Sequence, residues 1–447
     1  MTNKNVREVV IDILVSIEKN QAYSNLLLNK MIQKYNLSSK DTGLLTEIVY
    51  GTIQRKEALD FILSSFINNK KKVEQWVVVL LRMSIYQMVY LDRIPERAVI
   101  FEAVEIAKKR GHKGIASMVN GVLRNIQRNG IPSFEEISDP IERLAVETSH
   151  PNWLVKRWIE HFGYEEAKKI CEINLIPPEQ TARVNLTKTT LDEVLAQLKD
   201  KGIEATAGEL APDSIKIGKG NIASSSLFKD GLVTIQDESS MLVGHALGVT
   251  KDESILDSCA APGGKTTHIA ELLNNTGSVT SLDLHEHKVK LIAEQVSRLG
   301  LTNVTPQVLD SRTASDQFEN ESFDKILVDA PCSGFGVIRR KPDIKYSKNE
   351  NDIYQLKNIQ LSILNAVAPL LKKGGILVYS TCTVDKEENE EVVAEFLNQH
   401  HNYKLDDELS NRLPCKVQPY IKGGTVQILP HYFGSDGFFI ASIRKQV

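Results

Sequence analysis

The stretch ILDSCAAPGGKTTHIAELL, residues 255–273, decides the fold, because an apolar strand runs into a loop of small residues and then into the start of a helix. The same alternation continues along the chain. Strands are predicted at 254–257, 278–283, 304–309, 324–329 and 375–381, and helices at 266–273, 286–299 and 352–372. Such alternation indicates a parallel sheet with helices on both faces. Ligands of these sheets bind at the carboxyl ends of the strands. We therefore expect a Rossmann-like α/β domain over residues 236–447.

Two further domains are expected before it, so that the whole chain is multidomain. Up to about residue 128, apolar residues recur at spacings of three and four, which predicts amphipathic helices and an all-α domain over 1–140. The segment NGIPSFEEISDP, 129–140, is rich in turn formers and acids and predicts a linker. Between 141 and 235, strand-like TARVNL and DSIKIG flank a helix-like stretch opened by a threonine cap, which indicates a small α/β (α+β) module.

Composition excludes several classes of protein. The 447 residues are 42% hydrophobic and 25% charged, as in globular proteins. No apolar run approaches the roughly 20 residues that span a bilayer, and the first residues lack the apolar core of a signal peptide. The five cysteines show neither disulfide nor zinc-ligand spacing. We expect a cytoplasmic monomer with free thiols, no membrane contact and no metal.

Positive charge is concentrated in the first third of the chain. Residues 1–150 carry 21 Lys+Arg against 17 Asp+Glu, although the whole chain has a net charge of −3. In AKKRGHKGIASMVNGVLRNIQRNG, 107–130, basic residues surround an apolar helix face; the candidates for RNA contact among them are Lys108, Lys109, Arg110 and Arg124. A solvated helix face explains the same pattern equally well.

The loop within residues 255–273 has the features of a nucleoside site. Gly263 and Gly264 let the backbone approach a ligand, and the helix amides behind them can receive polar groups. The loop matches neither the dinucleotide fingerprint nor the P-loop, so a pyrophosphate is disfavoured. Asp283 and Asp310 end the next two strands, where they could bind ribose hydroxyls and an adenine amino group. These features favour an adenosine-type ligand without phosphates, of which S-adenosylmethionine is the common one, although such acids can also be mere helix caps.

Two cysteines follow the last two strands of the alternating region. Cys332 lies in ILVDAPCSGFGV, 326–337, and Cys382 in ILVYSTCTVD, 376–385. If these strands are neighbours about 4.8 Å apart, both thiols face the cofactor pocket. A thiolate that adds to carbon 6 of cytosine makes carbon 5 nucleophilic towards a methyl donor, and a second acid/base group helps the release. Asp329 could hydrogen-bond the base. These residues alone do not decide which thiol attacks.

Longer motifs carry a resemblance to known families. The matching segments are IQDESS (235–240), DSCAAPGGKT (257–266), DAPCSGFGVIRRKPDIK (329–345), YSTCTVDKEENE (379–390) and DGFFIA (436–441). They resemble the RNA cytosine-5 methyltransferases of the Nol1/Nop2/Sun family. The N-terminal third resembles the RNA-binding helical domain of the antitermination factor NusB, through IVYGTIQRKEALDFIL, YLDRIP and VNGVLRN.

The resemblance implies roles for individual residues and a cytosine of small-subunit ribosomal RNA as the substrate. Cys382 would be the nucleophile, Cys332 would assist product release, and Asp329 would lie between cofactor and base. S-adenosylmethionine would be bound by Cys259, Ala260, Ala261, Pro262, Gly263, Gly264, Lys265, Asp283, Asp310 and Asp329. The loop of Arg339, Arg340 and Lys341 would suit RNA phosphates. Two positions depart from the family pattern: Thr383 stands where Ser is common and Tyr346 where Trp is frequent.

Other functions stay open at this point. A DNA cytosine-5 methyltransferase would use the PC cysteine as nucleophile and would not need Cys382. An amino-group methyltransferase would carry an Asn/Asp-Pro-Pro-aromatic turn where this chain has DAPC, 329–332. The remaining alternatives are a cytosine-5 methyltransferase of another RNA, such as tRNA, and a non-catalytic ribosome assembly or antitermination factor. The paired cysteines and the complete cofactor loop argue against the last.

Overall fold

The computed structural model describes residues 5–20, 24–67 and 72–447. The chain divides into two compact units, and the boundary falls at Ile176. Unit 1 comprises Met1–Ile176 together with the short segment Arg340–Ser347. Unit 2 comprises Pro177–Arg339 and Lys348–Val447. The helices at 152–173, which the sequence analysis assigned to the middle module, thus group with unit 1.

Unit 1 is helical throughout its described residues. Its helices before residue 176 are α1 (Val6–Asn20), α2 (Ser24–Tyr35), α3 (Ser39–Gln54), α4 (Lys56–Ser64), α5 (Gln75–Tyr90), α6 (Glu96–Arg110), α7 (Lys113–Asn129), α8 (Pro140–Glu147), α9 (Asn152–Phe162) and α10 (Tyr164–Ile173). Helix α5 is the centre of the bundle, since every residue from Val77 to Gln87 is buried. A helix that is apolar on all sides belongs inside a core. Helix α8 begins with the N-cap Asp139 followed by Pro140, the sequence signal of a helix start.

The segment Arg340–Ser347 belongs to unit 1 although its neighbours in sequence belong to unit 2. The Oγ of Ser24 donates to Asp343 over 2.5 Å, and the hydroxyl of Tyr346 donates to the carbonyl of Ser149 over 2.9 Å. The buried Lys345 donates from Nζ to the carbonyl of Gln54 over 3.0 Å, and burial lowers the pKa of Lys345 to about 7. These contacts explain why the segment groups with unit 1.

Unit 2 begins with a four-stranded antiparallel sheet in the order β2-β3-β1-β4. Its elements are β1 (Gln180–Val184), α11 (Leu191–Asp200), β2 (Glu204–Ala207), β3 (Ser214–Lys219), α12 (Ser226–Lys229) and β4 (Val233–Ile235). Helix α11 opens with a complete capping box, in which Thr190 and Glu193 bond each other's backbone amides. Apolar residues of β1, β3 and α11 form the core of this module.

The larger sheet of unit 2 runs in the order β11-β12-β13-β9-β8-β5-β6-β7, with β10 paired to β13. Its strands are β5 (Ser254–Asp257), β6 (Ser278–Asp283), β7 (Val304–Val308), β8 (Phe323–Asp329), β9 (Leu371–Thr381), β10 (Tyr403–Leu405), β11 (Ile421–Lys422), β12 (Thr425–Ile428) and β13 (Phe438–Lys445). Its helices are α13 (Glu238–Leu247), α14 (Gly264–Leu272), α15 (Glu286–Leu299), α17 (Glu350–Val367), α18 (Glu390–Gln399), α19 (Leu409–Arg412) and α20 (Pro430–Phe433), while α16 (Ile344–Ser347) lies in unit 1.

The parallel core of this sheet confirms the predicted Rossmann-like architecture. Strands β7, β6, β5, β8 and β9 pair in parallel, and two apolar clusters cover the sheet. The chain moves outward from β5 to β7 and then returns to place β8 on the other side of β5, which creates a switch point where ligands bind. Strands β10 to β13 pair antiparallel and were not predicted. No helix in the described ranges is both long and apolar enough to cross a membrane.

Candidate active site

The candidate site lies at the carboxyl ends of β5, β8 and β9. Strands β8 and β9 pair in parallel, and the register sets Asp329 opposite Ser380. The amide of Ala330 donates to the carbonyl of Ser380 over 2.9 Å, and the amide of Gly336 donates to the carbonyl of Cys382 over 2.9 Å. These bonds tie the loop after β8 to the loop after β9, so the residues just beyond both strands share one pocket.

The structure brings together the two thiols that the sequence placed after these strands. The Sγ atoms of Cys332 and Cys382 lie 3.4 Å apart, and both residues are partly buried. The pKa of Cys332 is raised well above its ordinary value, first by its hydrogen bond with Cys382, then by burial and by nearby negative charge. Cys332 therefore holds its proton and can donate it towards the sulfur of Cys382.

Asp329 is held from two sides beside the thiols. Its Oδ2 lies 2.8 Å from the Nζ of Lys265, and its Oδ1 accepts from the Oγ of Ser380 over 2.9 Å. Burial acts to lower the pKa of Lys265, but the charge and hydrogen bond of Asp329 outweigh it, with a smaller contribution from Cys382, and the pKa is raised. Lys265 is thus a fixed cation between the loop after β5 and the carboxylate at the end of β8.

The loop after β5 has the shape expected of a nucleoside site. Gly263 adopts the left-handed conformation (φ +103°) that favours glycine and caps α14, and a Cβ atom at Gly264 would meet nothing within 4 Å. The loop is anchored to the end of β5, because the hydroxyl of Thr266 donates to the buried Asp257 over 2.6 Å. Burial raises the pKa of Asp257 to about 7. The open helix start above Gly264 leaves room for a ligand.

The two acids predicted to bind the nucleoside lie at the ends of β6 and β7. Asp283 is partly buried and accepts from the amide of His285 over 3.0 Å. Both carboxylate oxygens of Asp310 accept from the side chain of Arg312, at 2.6 to 3.1 Å. A carboxylate has about four acceptor positions, so both acids fit the hydroxyl and amino donors of an adenosine-type ligand. At Asp310 that ligand would compete with the half-exposed Arg312.

Cys259 lies at the start of the loop that is predicted to bind the cofactor. Its partly buried side chain packs against the apolar core on one face of the sheet, and burial raises the pKa of its thiol. The thiol is therefore protonated at pH 7 and resembles a small apolar side chain.

Several residues of the site were not found from the sequence. The buried Arg183 of β1 pairs with Glu271 of α14, with an Nη2–Oε1 distance of 2.8 Å, and its Nη1 donates to the carbonyl of Gly264 over 2.9 Å. The buried Glu388 accepts from the amide of Ser333 over 2.8 Å. Glu388 lies in the matched segment YSTCTVDKEENE, which was the available signal. Arg183 had none, since an isolated arginine in a strand suggests a surface residue.

Three potential metal ligands also meet in unit 2, and none of them is among the predicted site residues. Asp213 lies 2.9 Å from the Nε2 of His245 and 2.8 Å from the Nε2 of His268. Burial, helped by the charge of Arg183, lowers the pKa of His268 to about 4, so its ring is neutral at pH 7. Burial acts to raise the pKa of Asp213, but the hydrogen bonds of both histidines hold it below its ordinary value. The distances are those of hydrogen bonds, and the group connects the β3 end of the module to α13 and α14.

The structure corrects one predicted RNA contact and weakens three others, those of Lys108, Lys109 and Arg110. Arg339 is buried and donates to the carbonyls of Gly434 (2.6 Å) and Pro177 (3.2 Å), so it does not point to solvent. In unit 1, the partners of the other basic side chains are Glu105 for Lys108, Glu8 for Lys109, Asp12 for Arg110 and Gln127 for Arg124. Carboxylates thus neutralise the cluster of α6. Arg340 is partly buried, whereas Lys341 is exposed.

Comparison with known proteins agrees with this arrangement. The model of the family "16S rRNA methyltransferase RsmB/F" matches residues 245–444, that of the NusB family matches 4–128, and that of a ferredoxin-like domain of the RsmF/B-like methyltransferases matches 150–222. The crystal structure of PH0851 is 27% identical, with a TM-score of 0.83 over 100% of this chain and 99% of that chain. A methyltransferase homologue from Pyrococcus horikoshii is 29% identical, with a TM-score of 0.59 over 69% of this chain and 100% of its own.

Full-length relatives give the same result. A probable ribosomal RNA small subunit methyltransferase B from Synechocystis sp. (strain PCC 6803) is 33% identical over 98% of this chain and 99% of its own length. A protein of the same name from Bacillus subtilis (strain 168) is 59% identical over the full length of both chains. This chain therefore belongs to the family of the ribosomal RNA small subunit methyltransferases B.

Proposed function

We propose that this chain transfers a methyl group from S-adenosylmethionine to carbon 5 of a cytosine in small-subunit ribosomal RNA, through a covalent bond between Cys382 and the base. The single observation that carries the proposal is the 3.4 Å contact between the Sγ atoms of Cys332 and Cys382, just beyond the carboxyl ends of β8 and β9. Methyltransferases that act on an amino group or an oxygen need no thiol pair. Addition to and elimination from a pyrimidine ring uses both thiols.

Cys382 begins the reaction as a thiolate, after its proton has passed to water, and its sulfur adds to carbon 6 of the cytosine. The addition raises the electron density at carbon 5, which then takes the methyl group. The proton at carbon 5 must next pass to water, and the electron pair of that C–H bond re-forms the double bond between carbons 5 and 6 and expels the sulfur of Cys382 as a thiolate. Cys332 holds its proton in contact with the departing sulfur. Its S–H group can stabilise the Cys382 thiolate as it leaves, which supports the proposed roles of attack for Cys382 and release for Cys332.

Asp329 is the residue that would hold the base during these steps. Its carboxylate is fixed by Lys265 and Ser380 within the same pocket, so it can accept a hydrogen bond from the amino group of the cytosine. Fixing the ring by its polar edge presents carbon 6 to one sulfur in a single orientation. Attack from the ring face requires the nucleotide to leave the base stack of the RNA.

The methyl donor fits the residues at the ends of β5, β6 and β7. When bound, S-adenosylmethionine supplies an electrophilic methyl group. The backbone of residues 259–264 at the start of α14 would receive its polar groups, and Asp283 and Asp310 would accept from its ribose and adenine. Lys265 holds the Asp329 carboxylate beside the transfer site through their 2.8 Å ion pair.

RNA is the proposed partner, and the exposed basic residues of unit 1 are the remaining candidates for phosphate contact. Lys341 and Arg124 are exposed, and so is Arg128 in the last turn of α7. Phosphate contacts position an RNA without reading its sequence, so these side chains would add affinity and not specificity. The acid-paired Lys109 and Arg110 would contribute less.

A product assay tests the proposal directly. The protein is incubated with methyl-labelled S-adenosylmethionine and under-methylated small-subunit ribosomal RNA, and the RNA is digested to nucleosides and analysed by mass spectrometry. We expect labelled 5-methylcytidine at one position. No label, or a label on another nucleoside, would contradict the proposal. Transfer RNA incubated in parallel distinguishes substrates, and the Cys382→Ala variant is the control for background methylation.

A further inference from the structure

The buried carboxylate of Glu388 links the loop that carries Cys332 to the loop that carries Cys382. Glu388 has no solvent exposure, and its Oε1 accepts from the amide of Ser333 (2.8 Å) and from Nε2 of Gln360 (3.1 Å). Its Oε2 accepts from the Oγ of Ser333. The same Gln360 amide also donates to the carbonyl of Pro331 over 2.9 Å. Glu388 is thus bonded directly to Ser333, which follows Cys332, and through Gln360 to Pro331, which precedes it.

The hydroxyl of Thr383 connects this carboxylate to the loop of Cys382. The Oγ1 of Thr383 lies 2.8 Å from the Oγ of Ser333, and both side chains are buried. Burial raises the pKa of Glu388 to about 7, and above that pH the ionised carboxylate only accepts hydrogen bonds, so the single hydroxyl hydrogen of Ser333 is directed to Glu388. Thr383 must then donate its own hydrogen to Ser333. The chain Thr383 → Ser333 → Glu388 therefore has one direction, and each hydroxyl in it is needed.

We propose that Glu388, Ser333 and Thr383 form a clamp that holds Cys332 and Cys382 at contact distance, with Glu388 as a positioning residue of the reaction. This inference rests on the roles proposed above for the two cysteines. Each clamp hydroxyl belongs to the residue that directly follows a cysteine, so losing one bond of the clamp frees the loop that carries one sulfur. Hydrogen bonds within a buried network of this kind restrict the loops to one arrangement.

The charge of the clamp also acts on Cys332. The negative charge of Glu388 adds to the effects that keep the proton on Cys332. Burial of a carboxylate is costly unless it is hydrogen-bonded. The amide and hydroxyl of Ser333 and the side-chain amide of Gln360 donate to Glu388 and offset that cost. An apolar residue at this position could not accept these hydrogen bonds and so would not connect the loops.

The first test measures thiol geometry without RNA or cofactor. Mild treatment with diamide joins adjacent thiols: two S–H bonds break, one S–S bond forms, and the N=N group takes up both electrons and both protons. The rate of the Cys332–Cys382 crosslink is followed by peptide mass spectrometry. We expect Thr383→Val, which keeps the shape and removes the hydroxyl, to slow the crosslink about tenfold, the effect of losing a buried hydrogen bond. Thr383→Ser should stay within about twofold of wild type.

The second test measures the reaction. Thr383→Val should reduce the rate of methyl transfer about tenfold or more, whereas Thr383→Ser should restore it. Ser362→Ala, which removes an exposed hydroxyl bonded only within α17, is the matched control. Urea unfolding of each variant shows that the fold is retained. Glu388→Gln tests the same clamp at a second position, because the amide keeps hydrogen bonds to Ser333 but not the charge.

The outcomes separate this inference from the proposed function. Thr383→Val with wild-type crosslinking and wild-type methylation would overturn the clamp, and so would equal losses in the Val and Ser variants. If Cys382→Ala still forms the covalent adduct with RNA, the proposed function fails, whatever the clamp variants do. If the cysteine variants behave as proposed while Thr383→Val matches wild type in both tests, the clamp alone is wrong.

Discussion

Replacing Arg183 with Met should destabilise unit 2 strongly. The guanidinium has no solvent exposure and forms a two-pronged pair with Glu271, at 2.9 Å and 2.8 Å, and it also donates to Gly264 and Thr267. Met fills a similar volume but leaves the carboxylate of Glu271 buried without its cation. Burial already raises the pKa of Glu271 against the opposing charge of Arg183, so the lone carboxylate would take up a proton at a cost.

The expected loss can be estimated from this arrangement. Breaking a buried ion pair by removing one partner costs about 3–5 kcal/mol, whereas replacing both partners by apolar residues is often neutral. Arg183→Met should therefore lower the free energy of unfolding by about 3 kcal/mol or more, and Arg183→Met/Glu271→Leu should recover most of it. The bond to the carbonyl of Gly264 adds a second effect, since the start of α14 loses an anchor. We expect weaker binding of S-adenosylmethionine by the single variant.

The assay is urea unfolding followed by circular dichroism at pH 7, with cofactor affinity measured by calorimetry. Lys290→Ala is the control, because it removes an exposed ion pair with Glu286 on the surface of α15. Exposed pairs contribute little to stability, so this variant should unfold like wild type. The reasoning would be refuted if Arg183→Met were within about 1 kcal/mol of wild type, or if the double variant were as unstable as the single one.

Three further predictions follow from other contacts. Burial raises the pKa of Glu388 to about 7 from 4.5, so its contribution to the stability of the fold is complete below pH 4.5 and is lost as the pH rises through 7. In urea unfolding, wild type should lose up to about 3 kcal/mol relative to Glu388→Gln between pH 4.5 and 8.5. A stability difference that does not depend on pH would contradict this. Lys265→Met removes the cation that holds Asp329 and should lower kcat/KM about 100-fold; unchanged kinetics would refute the role of this pair. In unit 1, Ser24→Ala takes a hydroxyl from the buried Asp343 and should cost about 1–3 kcal/mol of unfolding free energy, whereas Ser64→Ala, at an exposed site, should not.

Periodicity and motif order predicted the parallel strands of unit 2 and the helices between them well. The predicted strands at 254–257 and 278–283 and the helix at 286–299 are those of the structure, because alternating strands and helices leave one way to cover a parallel sheet. The sequence also predicted that β8 and β9 are neighbours, and therefore that the thiols of Cys332 and Cys382 lie close together. The antiparallel strands after residue 400 were missed. They are as short as two and three residues and carry little periodicity of their own.

Contacts between distant residues were beyond such reasoning. Arg183 and Glu271 are 88 positions apart, and their pairing depends on how the four-stranded module packs on α14. Arg339 looked like a surface cation from its neighbours Arg340 and Lys341, but two carbonyl groups far away in sequence enclose it. Asp343 was part of a matched motif, yet its partner Ser24 lies 319 positions earlier. Local sequence predicts helices and strands, whereas the burial of a charged side chain depends on tertiary contacts.

The central claim is that Cys382 attacks the base and Cys332 releases it, and trapping the covalent complex tests it most directly. Wild-type protein, Cys382→Ala and Cys332→Ala are each incubated with S-adenosylmethionine and under-methylated small-subunit ribosomal RNA, and adducts are resolved on denaturing gels. We predict that Cys332→Ala accumulates a protein–RNA adduct that contains 5-methylcytosine. Cys382→Ala should form neither adduct nor product. An adduct in Cys382→Ala with none in Cys332→Ala would contradict the account, because it would make Cys332 the nucleophile.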